Sequence, residues 1–185
     1  MGVSALWLAI LVSAVLVFLA SSFIHMASPW HKNDYPKLPN EDTVMAALRS
    51  TGLPPGDYFV PRPSSMADMK SPEFTAKLKL GPRAVFTIMD GSTSSMGPQL
   101  LQWFIFVLVV STVAAGISGT VLGRDAGSHA IFHEVGLATW VAYAAALWPL
   151  SIWYRRSWSI TLKSTVDGLI YALITAGVFI WLWPR

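Results

Sequence analysis

The chain contains no cysteine, which excludes disulfides, thiol chemistry and thiolate metal sites. Charge is scarce as well. Asp, Glu, Lys and Arg make up 12% of 185 residues, against roughly 25% in soluble domains. Glycine-rich phosphate loops, nucleophile elbows, HExxH helices and paired carboxylates are all missing, which argues against the common soluble enzyme classes. The net charge of +3 is spread too thinly to suggest a nucleic-acid partner. What the chain does hold is apolar bulk, 54% hydrophobic residues with nine Trp.

That bulk is clumped. No charged side chain occurs in residues 1–24, 97–122, 135–154 or 168–183. About 20 apolar residues cross a hydrocarbon core roughly 30 Å thick. The runs therefore predict an all-α membrane protein, a four-helix bundle with spans at 1–24, 98–122, 128–153 and 159–183. The fourth run extends upstream to reach full length. A basic n-region is absent before the first run, so it is expected to stay as a transmembrane helix and not to be cleaved as a signal peptide. Each span carries small residues four apart: Ala5, Ala9 and Ser13; Ala115, Gly119 and Gly123; Ala138, Ala142 and Ala146; Gly168, Ala172 and Ala176. Such stripes allow close backbone approach in lipid, where no hydrophobic drive joins helices.

Between the first and second spans lies an extramembrane insert, residues 25–96, predicted as a small α+β unit. Asn40 marks a helix start before Glu41–Ser50, and Ser71-Pro72 another before a helix ending by Gly81. Tyr58–Val60 and Ala84–Met89 have strand composition, the second closed by Asp90-Gly91, and are expected to pair antiparallel with both helices on one face. Lys32, Lys37, Arg83, Arg155, Arg156 and Lys163 lie near the membrane on the insert side, against Arg124 and Arg185 on the side of the termini. The positive-inside rule then makes the insert cytoplasmic.

Four histidines invite a metal reading. His25 and His31 follow the first span, whereas His129 and His133 open the third on the opposite face, so one chain cannot join all four. His129 and His133 stand one helical turn apart and supply two ligands where a zinc or copper site needs three or four. Met66 and Met69 offer two thioethers suited to Cu(I). These four residues are weak metal candidates, and interfacial histidines and gap-filling methionines explain them as well. No catalytic residue and no cofactor is predicted. Asp167, in the fourth span, is the carboxylate expected below the membrane surface. An ion pair with Lys163, one turn away, or with Arg155 or Arg156 is its simplest role.

Three stretches look familiar together: Pro29-Trp30-His31-Lys32 with Asp34-Tyr35 and Lys37-Leu38-Pro39-Asn40-Glu41-Asp42; Met69-Lys70-Ser71-Pro72-Glu73 with Gly81-Pro82; and Asp167-Gly168-Leu169-Ile170-Tyr171-Ala172-Leu173 with Trp181-Leu182-Trp183-Pro184. They resemble a family of small uncharacterised bacterial integral inner-membrane proteins. The resemblance implies an inner-membrane location and carries over no site residue. On these grounds the chain is expected to be a non-enzymatic accessory, assembly or stress-related membrane factor. A metal-handling (copper or zinc) or small-solute permeation protein is the alternative, and a membrane-embedded enzyme the third reading. Expected partners are the lipid bilayer and further copies or subunits of a membrane complex.

Overall fold

A computed structural model describes residues 1–91 and 95–184. The four charge-free runs form helices, because a backbone in hydrocarbon must satisfy its own N–H and C=O groups. Helix α1 (Trp7–Ser22) is preceded by a 3-10 turn (Val3–Leu6) and followed by a π-helical turn (Phe23–Ala27). Helices α4 (Gly97–Val121) and α7 (Trp158–Leu182) are continuous. The third span is broken into α5 (Ser128–Ala144), a 3-10 turn (Ala145–Leu147) and α6 (Trp148–Tyr154). Pro149 causes the break. It has no N–H to give the carbonyl of Ala145, and the N–H of Trp148 takes that carbonyl by tightening the turn. Among the described residues, four stretches are long and apolar enough to cross a membrane: Val3–Ala27, Gly97–Val121, Ser128–Tyr154 and Trp158–Leu182.

The chain divides into two compact units, Met1–Pro36 with Met96–Arg185, and Lys37–Ser95. In the first, each span packs on its neighbours in sequence, and α1 closes the ring against α7. Polarity is inverted relative to a water-soluble bundle. Ser13, Ser111, Ser118, Thr139, Thr161, Thr175 and Asp167 are buried, while Leu11, Val113, Ile117, Leu162, Leu169 and Leu173 are exposed. This is a multi-pass membrane protein. Many large apolar side chains face the surroundings, while small polar ones share the interior with apolar residues and find partners there. Ser13 bonds Ser111 across α1 and α4 at 3.2 Å, and Ser151 meets Thr161 across α6 and α7 at 2.6 Å.

The small-residue stripes pack unequally. Gly168 lets α7 approach α5 so closely that a Cβ there would lie 3.2 Å from the Cβ of Tyr143 and 3.5 Å from that of Ala144. Ala9, Ala115, Ala172 and Ala176 are buried. In the third span the packed face is instead Ile131, Val135, Thr139 and Tyr143, and Ala142 and Ala146 line a cavity. The apolar core falls into two clusters, one around Leu6, Ile10, Ile131, Val135 and Phe179, the other around Val17, Val107, Tyr143 and Tyr171.

The second unit holds helix α2 (Glu41–Ser50), strand β1 (Gly56–Val60), helix α3 (Pro72–Leu80) and strand β2 (Ala84–Ile88). The strands pair antiparallel, with Tyr58 opposite Phe86 and Val60 opposite Ala84. Ser71 caps α3 through its side chain, accepting from the N–H of Phe74, with Pro72 in the first turn. Asn40 begins α2 differently. It adopts a left-handed backbone conformation and caps with its carbonyl, not its side chain, a geometry asparagine tolerates. The expectation that both helices pack on one face of the strands is not met by α2, which has no buried residue. Phe74 of α3 is the buried hydrophobic side chain among the described residues of this unit. Apolar residues here are too few to build a layered core.

Candidate functional site

Asp167 is 2% exposed, and an ionisable group within a span is a functional-site candidate by default. Its neighbours differ from those expected. One carboxylate oxygen accepts from the indole Nε1 of Trp30 at 3.0 Å, and the other meets Nε2 of His31 at 2.9 Å. Lys163 pairs with Asp34 instead, at 2.6 Å, and donates to the carbonyl of Trp30 at 2.8 Å. The physical reason lies in residues 28–36. This segment belongs by sequence to the region after the first span, yet it clusters with the membrane helices. It brings an indole, an imidazole and a second carboxylate onto the start of α7. Asp34 lies outside the spans, and the Lys163 ammonium bonded to it holds its carboxyl below the ordinary value, with His31 adding to the effect against the opposing cost of burial.

His31 is held at both ring nitrogens, with Nδ1 2.6 Å from Asp34 and Nε2 on Asp167. His25 sits in the π-helical turn, and its ring stacks on that of His31 with centroids 4.5 Å apart and planes 17° from parallel. The wider turn matters here, since π-turns recur at functional sites; it carries the chain through the i+5 bond from the Ser28 N–H to the Phe23 carbonyl, 3.0 Å long. Nδ1 of His25 is 3.0 Å from the carbonyl of Ser21. A carbonyl only accepts, so Nδ1 carries a hydrogen, and in the neutral ring Nε2 is then the nitrogen free to act as a ligand. One ligand atom from each of His25, His31 and Asp167 lies within 4.8 Å of the others.

Of these groups, His25 and Asp167 line a cavity of about 500 Å³ between the four spans. Ser21, His25 and Met26 line it from α1 and its π-turn; Gln99, Trp103 and Phe106 from α4; Tyr143 and Leu147 from the third span; and Asp167 and Tyr171 from α7. The break at Pro149 shapes one wall, since Ala142, Ala146 and Leu147 border the cavity where the helix changes pitch. Trp103 is fixed by its Nε1 donating to Ser21 Oγ at 2.7 Å. The phenols of Tyr143 and Tyr171 are buried and find no hydrogen-bond partner among the described residues.

The candidates named from sequence lie elsewhere. His129 and His133 open α5, their ring centroids 4.8 Å apart, and gather no third histidine or carboxylate among the described residues. Met66 and Met69 are exposed in the second unit, beside or within a 3-10 turn at Asp68–Lys70. The cluster of His25, His31 and Asp167 was missed because His31 and Asp167 are 136 residues apart. A signal for it exists in the sequence: a carboxylate below the membrane surface needs a polar partner, and Trp30, His31 and Asp34 follow the first span on the same side. Compared with protein-family models, with curated proteins and with solved structures, the chain gives no match.

Proposed function

We propose that this is a metal-handling membrane protein in which His25, His31 and Asp167 bind a divalent first-row transition ion beside the cavity that His25 and Asp167 line. The carrying observation is the convergence of those three ligand atoms within 4.8 Å. Two imidazole nitrogens and one carboxylate oxygen suit zinc and its neighbours. The outer contacts fit as well. Metal-bound histidines donate their other ring N–H to a carboxylate or a backbone carbonyl, and His31 and His25 do so toward Asp34 and Ser21 respectively. A bound ion would take the place of the direct contact between His31 Nε2 and Asp167. Three protein ligands leave a coordination position free, the arrangement of sites that handle or transform a ligand, not of closed structural sites. The location we propose is a bacterial inner membrane with the insert in the cytoplasm. Support comes from the resemblance of the three stretches and from the excess of Lys and Arg on the insert side.

The test uses the full chain in detergent, stripped with a chelator and titrated with Zn²⁺. One equivalent is expected to bind, His31→Ala and Asp167→Asn should abolish stoichiometric binding, and His129→Ala should retain it. A wild-type protein that takes up no zinc, Co²⁺ or Mn²⁺, or a His31→Ala variant that binds as well as wild type, would overturn the proposal.

A further inference from the structure

We infer that the intramembrane cavity carries a second, softer metal site, for monovalent copper, built from the thioethers of Met26 and Met96 with Nε2 of His25. All three side chains line the same cavity, His25 and Met26 from the π-helical turn after α1 and Met96 from the residue that precedes α4. Methionine in a packed interior fills gaps. These two are 64% and 60% exposed, so gap-filling does not account for them. The chain has no cysteine, which leaves thioethers as its only sulfur donors. Two soft sulfurs select Cu(I) over the harder divalent ions. The imidazole of His25 adds a nitrogen, its Nδ1 already turned to the carbonyl of Ser21.

The register of α1 against α4 brings the two thioethers to one level. Ser13 bonds Ser111 and Ser21 bonds Trp103, so eight residues forward along α1 match eight residues back along α4. Continued past Ser21, that antiparallel register sets Met26 opposite Pro98, two residues from Met96. At about 1.5 Å per residue, the two methionines stand within about 3 Å of one height. Their faces agree as well. Met96 shares a stripe with Leu100 and Trp103, one and two turns on, and Met26 follows Ser22 by one turn; all five line the cavity. Packed helices stand about 8–10 Å apart. Two unbranched side chains with three rotatable bonds each can close that gap on a single ion. His25 also belongs to the divalent cluster, so the two ions compete for its ring. The sulfurs belong to this site alone, and the inference stands on them whether or not a divalent ion binds.

The experiment uses the full chain in detergent, without oxygen. Cu(I) is titrated against a colorimetric Cu(I) chelator into wild type, Met26→Leu/Met96→Leu, Met66→Leu/Met69→Leu and His31→Ala. Zinc is titrated into the same preparations. Wild type should take one equivalent of Cu(I), and X-ray absorption at the copper edge should show two sulfur neighbours. The Met26/Met96 variant should bind Cu(I) at least about tenfold more weakly, the lower end of what even outer contacts contribute to metal affinity, and should keep its zinc. Leucine nearly conserves the volume of methionine, and an unchanged melt of the metal-free variant excludes misfolding as the cause. The sulfur shell is read on wild type and so tests the site whatever the variant does. The Met66/Met69 variant and His31→Ala should bind Cu(I) as wild type does. Less than one equivalent on wild type, a copper shell without sulfur, or equal affinity in wild type and the Met26/Met96 variant would overturn the inference. Loss of Cu(I) from the Met66/Met69 variant would overturn it too, by moving the site to the second unit. Cu(I) without zinc would defeat the divalent reading alone, and zinc without Cu(I) would defeat this one alone.

Discussion

Asp34 touches no ligand position, yet it governs one. It holds His31 through Nδ1 while Lys163 holds it in turn, so the imidazole is aimed before any ion arrives. Outer contacts of this kind are worth about 10–100-fold in metal affinity. Asp34→Asn should therefore weaken zinc binding by about that factor in a competition titration while the stoichiometry stays at one; unchanged affinity would mean that His31 needs no such support. Asp167→Asn separates binding from folding. An asparagine still accepts from Trp30, so the stability cost should be modest, about 1–2 kcal/mol, as for other interhelical polar contacts in membranes, while zinc binding is lost. A thermal melt and a zinc titration on the same preparation check both halves. The carboxylate itself was legible in the sequence, because its depth follows from counting back along an uncharged run. Its partners were not. Lys163 stands one turn away and was the natural choice, but an irregular segment carries no periodicity to announce that it folds back. Only tertiary structure shows Trp30 and His31 reaching Asp167 first.

At the level of elements, close approach of α5 and α7 depends on Gly168, where an added Cβ would sit 3.2 Å from Tyr143 Cβ. Gly168→Val should destabilise the bundle by about 1–3 kcal/mol, the usual cost of overpacking. Gly177 lies on the same helix, but a Cβ added there would meet nothing within 4 Å, and Gly177→Ala should leave the melt unchanged or raise it slightly. Similar shifts for both would show that the α5–α7 contact is not the tight one. The elements were legible to different depths for physical reasons. Charge-free length fixed the spans, and strand composition with a turn signal after Met89 fixed the antiparallel pair. The break in the third span has its cause in plain view at Pro149, yet an uninterrupted apolar run masks it, because hydropathy does not register a missing N–H. The amphipathic pattern of α2 suggested a packed face that the small number of apolar residues around it does not supply.

For the whole molecule, sidedness remains the prediction with the widest reach. Reporter fusions within residues 61–65 and after Arg185 should place the insert in the cytoplasm and the C-terminus outside, from the six-to-two excess of membrane-proximal Lys and Arg. The opposite labelling would put the metal cluster at the outer face. The third span has a further consequence, for how the protein responds to its lipid. An unbroken helix meets a thicker or thinner bilayer by tilting as a rod. The third span instead has a joint between Ala144 and Trp148, and its short second arm carries Trp148, packed on Trp158, and Trp153, aromatic side chains of the kind that favours the headgroup level. Bilayer thickness should then act on the joint before it acts on the rods, and the joint is a wall of the cavity. Zinc affinity measured in nanodiscs of short-chain and long-chain lipids should change with thickness, because His25 and Asp167 line the same cavity, and Pro149→Ala, which restores the missing donor, should flatten that dependence. The lipid would then be a setting on the protein as much as its solvent.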